Sequence, residues 1–363
     1  MIKLDGSYGE GGGALVRTAL AISTLTGKPF EVNNIRAGRP NPGLKAQHLT
    51  AIKALKEICG SKTSDVELGT EEFWYHPGKI KRGIYEFDIG TAGSISLFLQ
   101  AVTLPCLFAP GKVTIKVKGG TCGKWQASVD YLQNVLLPHL QKFVDKIELK
   151  VLKRGYYPKG EGEVQLEINP RYNIQNYETF EEFNEDIKLR TAKIDLTEQG
   201  TLEQIRGNVN ISAELQDSEI AERIKRSAES SLKEFEVPIN IRTEYKTTSC
   251  VGGEIVLWAL FSKDGRMDPD NPVILGADAL IEKSKSSEQI GKEAAEKLKL
   301  EINAKEPVDR FLADQLILSI SLLSGSKLSS REISKHSLTN IYVVEQFLDL
   351  GFKIEGKIIQ VLE

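Results

Sequence analysis

Apolar residues in this chain recur at helical spacing in three long runs, each followed by a short segment of β character. The runs are G-G-G-A-L-V-R-T-A-L-A-I-S-T-L-T-G (11–27), T-A-G-S-I-S-L-F-L-Q-A-V-T-L-P-C-L-F-A-P-G (91–111) and V-D-R-F-L-A-D-Q-L-I-L-S-I-S-L-L-S-G (308–325). Each predicts a buried helix stopped by glycine. The β-type segments after them span 29–35, 112–117 and 326–333, and a second, more amphipathic helix follows each at 42–58, 127–143 and 337–350. After the last comes K-I-E-G-K-I-I-Q-V-L (353–362), again strand-like. One helix-strand-helix-strand unit is therefore expected three times.

The first two units follow closely, whereas the third starts only after residue 304. The chain between them turns acidic and irregular at E-T-F-E-E-F-N-E-D-I-K (178–188), then shows β-type runs at 208–213, 239–245 and 253–260 and helices at 218–235 and 287–298. This predicts an α/β (α+β) protein: a large body of 1–180 with 305–363, and a small α/β domain, 181–304, inserted before the third unit.

A length of 363 residues suits two bodies. A net charge of −3 gives no global signature of nucleic-acid binding, so a polyanion would have to meet a local basic patch. Cys59, Cys106, Cys122 and Cys250 show no C-x-x-C spacing and no adjacent histidine, which argues against a zinc site, and a chain of this size needs no disulfide framework. The opening M-I-K-L-D-G lacks the charged and apolar regions of a signal peptide, and the longest apolar stretch, 95–110, is too short to span a bilayer. The expectation is a cytoplasmic protein with no membrane partner.

G-E-G-G-G-A (9–14) fits a G-x-G-x-x-A dinucleotide fingerprint, but D-G-S-Y separates it from the opening strand, so that match is poor. A generic property survives: glycine-freed N–H groups at a helix N-terminus cradle phosphates. Glu10 within such a cradle repels phosphate unless a divalent cation bridges them, and Arg17, two turns on, is placed for the same phosphates. A tight turn with a surface glutamate and a solvated arginine explains the same residues. In I-R-A-G-R-P-N-P-G-L-K-A-Q-H-L (35–49), Arg36 and Arg39 sit in a proline-stiffened loop and suit bidentate contact with a phosphate, with Lys45, Gln47 and His48 following. L-K-R-G-Y-Y-P-K-G-E-G (152–162) interleaves cations with Tyr156 and Tyr157, as a single-strand nucleic-acid surface does, and as core tyrosines beside a turn also do.

Of four histidines, His139 falls inside a helix and His76 in a turn, and His48 follows the arginine loop within reach of a phosphate. His336 stands just ahead of a helix carrying Ile341, Val344 and Leu348, for which Ser337 or Thr339 is the expected cap. A helix N-terminus favours the neutral imidazole a nitrogen nucleophile needs and stabilises a phosphoryl group on it. A capping or surface role fits the same position.

Taken together, D-G-S-Y-G-E-G-G-G-A-L-V-R (5–17), I-R-A-G-R-P-N-P-G-L-K-A-Q-H-L, D-I-G-T-A-G-S-I-S-L-F-L-Q (88–100), R-G-Y-Y-P-K-G-E-G (154–162), F-L-A-D-Q-L (311–316) and H-S-L-T-N-I (336–341) resemble the RNA 3′-terminal phosphate cyclases in order and spacing. The resemblance covers nearly the whole chain and is weakest in the inserted domain. It implies a large domain of three two-helix, four-strand units with a small α/β domain before the third. It also implies an ATP-dependent conversion of an RNA 3′-phosphate to a 2′,3′-cyclic phosphate, with release of pyrophosphate and AMP, through a histidyl-AMP and an RNA-linked adenylate. The family's nucleophile falls on His336, its metal-binding glutamate on Glu10 for Mg²⁺ or Mn²⁺, and its phosphate-contacting arginine on Arg17. Arg36, Arg39 and Gln47 fall on positions serving the RNA phosphate and catalysis; Gln100, Asp314 and Gln315 fall on the nucleotide pocket. Phe311 and Ala127 stand where some members carry tyrosine and proline around the adenine, and Trp125 offers another ring nearby. Cyclase-like proteins that act in ribosome assembly without catalysis lack the histidine, which is present here.

Overall fold

A computed structural model describes residues 1–362, and their strands form four four-stranded sheets. The first comprises β1 (Ile2–Asp5), β2 (Phe30–Asn33), β3 (Lys62–Thr63) and β4 (Phe73–His76), with helices α1 (Ala14–Thr26) and α2 (Ala46–Cys59). The second comprises β5 (Gly83–Asp88), β6 (Val113–Gly119), β7 (Val144–Lys153) and β8 (Gly162–Pro170). Its helices are α3 (Ile95–Cys106) and the short α4 (Val129–Tyr131) and α5 (Leu137–Leu140). Then come α6 (Phe180–Arg190) and β9 (Asp195–Leu196). The next sheet holds β10 (Thr201–Ser212), β11 (Ile239–Lys246), β12 (Gly253–Ser262) and β13 (Val273–Leu280), with α7 (Ile220–Leu232) and α8 (Ser287–Asn303). The chain ends with α9 (Arg310–Ile320), β14 (Lys327–Ser329), α10 (Lys335–Phe347), β15 (Phe352–Glu355) and β16 (Ile358–Val361).

The sheet orders are β1-β2-β4-β3, β5-β6-β8-β7 and β9-β14-β16-β15. In each, the first pair is parallel and the next two are antiparallel. A parallel pair needs a crossover, and α1 and α3 supply it in the first two sheets. In the third, β9 and β14 are separated by the whole 201–303 segment and α9. The boundary expected at residue 181 falls inside α6, whose Phe180, Phe183 and Ile187 belong to the larger core, as does Leu196 of β9.

β12 joins the two hydrophobic cores. All its residues are buried, and strand alternation sends Ile255, Leu257, Ala259 and Phe261 into a core closed by α7 and α8. Val256, Trp258 and Leu260 point the other way, into the larger core. A near-continuous apolar strand is the pattern expected when both faces are covered.

Three local expectations are corrected. Of the three buried runs, α1 alone is stopped directly by glycine, at Gly27 in the left-handed conformation; α3 ends at Cys106 and α9 at Ile320, each short of its glycine. The helix expected over 127–143 runs without interruption from Val129 to Phe143 but changes register: α4 passes into a π-helical stretch at Leu132–Leu136, then α5 and a final 3-10 turn. Pro138, at the start of α5, lacks the N–H that a continuous ladder requires. The last helix begins at Lys335, so His336 lies inside its first turn rather than ahead of it. No helix among the described residues is long and apolar enough to cross a membrane.

Candidate active site

The glycine loop is folded by positions that only glycine tolerates. Gly9 and Gly11 take φ of 68° and 55°, and a Cβ on Gly9 would lie 2.3 Å from Thr339 Oγ1 of α10. Tyr8 stacks on Tyr342 of the same helix, with ring centroids 3.9 Å apart. The loop is thus seated on α10 before it enters α1. Gly13 caps α1 with no side-chain hydrogen bond, whereas Ser94, Asp309 and Ser334 cap α3, α9 and α10 through side-chain oxygens. An N-terminus left without a side-chain cap keeps its N–H groups and positive dipole end available to an anion.

Beneath that end lies His48, which is 1 % exposed. Its Nδ1 accepts from the Lys45 backbone N–H at 3.0 Å, and its Nε2 is buried without a partner. A Cβ on Gly13 would stand 2.6 Å from that Nε2. Burial, then Arg17, Arg36 and Lys45, hold the imidazole well below its usual range, so it is neutral. His48 therefore supports the loop from below, against Gly13.

His336 is set by an interaction between distant segments. Ser334 Oγ accepts from the backbone N–H groups of His336 and Ser337, at 3.0 and 3.1 Å. The hydroxyls of Ser334 and Ser337 both donate to Oδ1 of Asp314 on α9, at 2.5 and 2.6 Å, and Asn340 Nδ2 donates to the Asp314 carbonyl at 2.8 Å. Burial pushes the Asp314 carboxyl up against these hydrogen bonds. The expected caps, Ser337 and Thr339, are spent elsewhere: Ser337 on Asp314 and Thr339 on the Lys335 carbonyl.

His336 Nδ1 lies 3.0 Å from Glu10 Oε1. Oε1 is buried and has no partner besides that nitrogen. Arg39 Nη2 donates to Glu10 Oε2 at 2.7 Å. Burial opposes ionisation of Glu10, but His336, Arg39 and Arg17 together hold it below the usual carboxylate range. Arg17 donates from Nε to Gln100 Oε1 at 3.1 Å, and Gln100 donates to Gln315 Oε1 at 3.3 Å. Burial, partly offset by Glu10, brings the Arg17 guanidinium down to about 10, still charged at neutral pH. Arg36, with φ of 57°, gives Nη1 to the carbonyls of Asn41 and Gly43 and so stiffens its own loop.

One open pocket brings together Arg17, Gln100, Ala127, Phe311, Asp314, Gln315 and His336, from α1, α3, the loop before α4, α9 and α10. Phe311 is 47 % exposed on its rim and Trp125 is 95 % exposed. Glu10, Arg36, Arg39 and Gln47 do not line this pocket; Glu10 and Arg39 adjoin it through His336. The Asp314 brace, the buried His48 and the Tyr8–Tyr342 stack were not foreseen from the sequence. Only the brace had a legible half, in the S-K-H-S spacing of two serines around His336. Among the described residues no group of three or more His, Cys, Asp or Glu converges to hold a metal unaided. The buried carboxylate of Glu10, whose Oε1 has only His336 Nδ1 beside it, fits a cation that takes its other ligands from a bound molecule.

A family model described as RNA 3′-terminal phosphate cyclase matches residues 8–354. The chain is 41 % identical over 356 residues to the RNA 3′-terminal phosphate cyclase of Pyrococcus furiosus, covering 98 % of this chain and 96 % of that protein. Proteins of the same name from Methanopyrus kandleri and Methanosarcina acetivorans are each 39 % identical, over 98 % of this chain and 96 % and 98 % of theirs.

Proposed function

The chain belongs to the RNA 3′-terminal phosphate cyclase family, and from that premise we propose that it converts an RNA 3′-phosphate to a 2′,3′-cyclic phosphate, using ATP and carrying AMP on His336. The observation that carries this reading is the placement of His336. Its Nδ1 is turned to Glu10 while its ring lines the pocket holding Arg17, Gln100, Phe311, Asp314 and Gln315. That leaves Nε2 as the nitrogen available to react.

In the first step Nε2 attacks the α-phosphorus of ATP; an N–P bond forms, the bond to the bridging oxygen breaks, and pyrophosphate leaves. An oxygen of the RNA 3′-phosphate then attacks that phosphorus and releases the histidine. Finally the adjacent 2′-hydroxyl attacks the RNA phosphate, loses its proton and expels AMP. Adenylation turns a poor leaving group into a good one, and the vicinal hydroxyl is already held at high effective concentration.

The residues divide this work. Arg17 and the N-terminus of α1 bind nucleotide phosphates, and the Gln100–Gln315 chain fixes the arginine's direction. Phe311 stacks on the adenine beside Ala127. Arg36, Arg39 and Gln47 receive the RNA phosphate at the flank. Glu10 would hold Mg²⁺ or Mn²⁺ together with phosphate oxygens, and the cation, when bound, neutralises phosphate charge. Asp314 positions His336 through the two serines.

The test is incubation with α-labelled ATP and Mg²⁺ or Mn²⁺, with His336→Ala alongside. Acid-labile, alkali-stable label is expected on the natural chain and not on the variant. No label on the former, or equal label on both, overturns the reading and leaves a non-catalytic RNA-binding role, as in ribosome assembly.

A further inference from the structure

Two aromatic rings near the pocket contribute almost nothing to the fold. Trp125 is 95 % exposed and Tyr157 is 80 % exposed, while the adjacent Tyr156 is 3 % exposed and gives its hydroxyl to the Asn210 carbonyl. The Y-Y pair therefore splits into one core ring and one ring left in solvent. Trp125 also holds φ at 62°, a conformation unfavourable for a bulky L-residue, and no burial of its ring offsets it.

The segments carrying these rings meet. Thr121 N–H donates to the Gly155 carbonyl at 2.9 Å, tying the Trp125 loop to the start of the Tyr157 turn. A Cβ on Gly160 would lie 2.3 Å from the Thr91 carbonyl, so the far end of that turn rests on the loop entering α3, the helix that carries Gln100. Ser96 of α3 donates to the Ala127 carbonyl at 2.6 Å, closing the link back to the pocket.

Most of the charge here is paired, Lys124 with Glu282 at 3.0 Å included, and one lysine is left over. Lys118 is paired with Glu163 at 3.4 Å and Lys153 with Glu161 at 3.9 Å, and Glu161 also accepts from Ser249. Lys159, exposed beside Tyr157, lies in the field of Glu161 but is in no ion pair among the described residues.

We propose that this surface is the track for the RNA strand on the 5′ side of its reacting end: single-stranded RNA leaves the pocket past Trp125, stacks a base on Tyr157, and places a backbone phosphate against Lys159. Stacking on exposed rings accepts any base, so the track reads strandedness and length rather than sequence. The proposal rests on the pocket being the site where an RNA 3′-phosphate is adenylylated.

The experiment compares the natural chain with Tyr157→Ala, Tyr157→Phe and Lys159→Ala, using fluorescent RNAs with a 3′-phosphate, either a dinucleotide or an octamer, without ATP. Stacking of one base predicts that Tyr157→Ala weakens octamer binding about tenfold. Tyr157→Phe keeps the natural affinity, Lys159→Ala loses part of it and flattens the salt dependence, and the dinucleotide binds all four chains alike. Octamer affinity within about twofold of natural in Tyr157→Ala overturns the track, as does an equal loss for the dinucleotide. Self-labelling from ATP, measured in parallel without RNA, keeps the two readings apart. Label on the natural chain and on Tyr157→Ala alike, with unchanged octamer binding, rejects the track alone; absence of label on the natural chain rejects the enzymatic reading beneath it.

Discussion

His139, in α5, is 3 % exposed with Nε2 unpartnered, and burial, reinforced by Lys142, brings its pKa down to about 3. His48 is also buried and held low. The unfolded chain takes up protons at such histidines near pH 6.5 and the folded chain does not, so stability is complete above that pH and falls as the pH drops below it. At pH 5 the contribution lost at His139 alone is about 2 kcal/mol. His139→Leu is expected to flatten the decline of the urea midpoint between pH 7 and pH 5 by close to one proton's worth; an unchanged slope refutes this. The apolar spacing around His139 is enough to place it inside a helix. That His48 lies beneath Gly13 was not legible, because it depends on α2 packing under α1, which no local pattern encodes.

The N-terminus of α10 shows how a correct element can carry a wrong detail. Ser334, Ser337 and Thr339 are all plausible caps by residue type, and Asp314, twenty residues from Ser334 in sequence, is what separates them. It occupies both serine hydroxyls, and only Ser334 also meets the backbone N–H groups of the first turn. Ser334→Ala is expected to cost about 1 kcal/mol of stability. Its larger effect is on His336, whose lost alignment is expected to slow self-adenylylation roughly tenfold or more, with Ser334→Thr restoring the rate. A variant destabilised by this amount but labelled at the natural rate argues that the cap supports only the helix. In the 127–143 segment apolar spacing predicts one helix and the structure has one from Val129 to Phe143, but Pro138, which has no N–H to give, accompanies a π-helical register just before it.

For the whole molecule, β12 makes the inserted segment part of the main structure. One face of the strand belongs to each core, so neither core is complete without it. Trp258, on the face toward the larger core and 7 % exposed, is the test. Truncation to alanine is expected to cost about 3–5 kcal/mol. In the natural chain, unfolding followed by near-ultraviolet and by far-ultraviolet dichroism is expected to coincide; in Trp258→Ala the two transitions are expected to separate as the cores uncouple. Coincident transitions in the variant contradict this coupling.

The sequence by itself determined the α/β class, the helical runs that form α1, α3 and α9, and a set of motifs specific enough to indicate a family. It could do so because helical and strand periodicities are local and because glycine loops, arginine loops and an isolated histidine are chemically distinctive in a row. Only the tertiary structure decided which of these residues meet: Glu10 against His336 across 326 positions, Gln100 between Arg17 and Gln315, and one exposed tyrosine beside a buried one. The physical reason is that these contacts arise from close packing of separate helices and from satisfying buried polar groups, and neither is specified by neighbours along the chain.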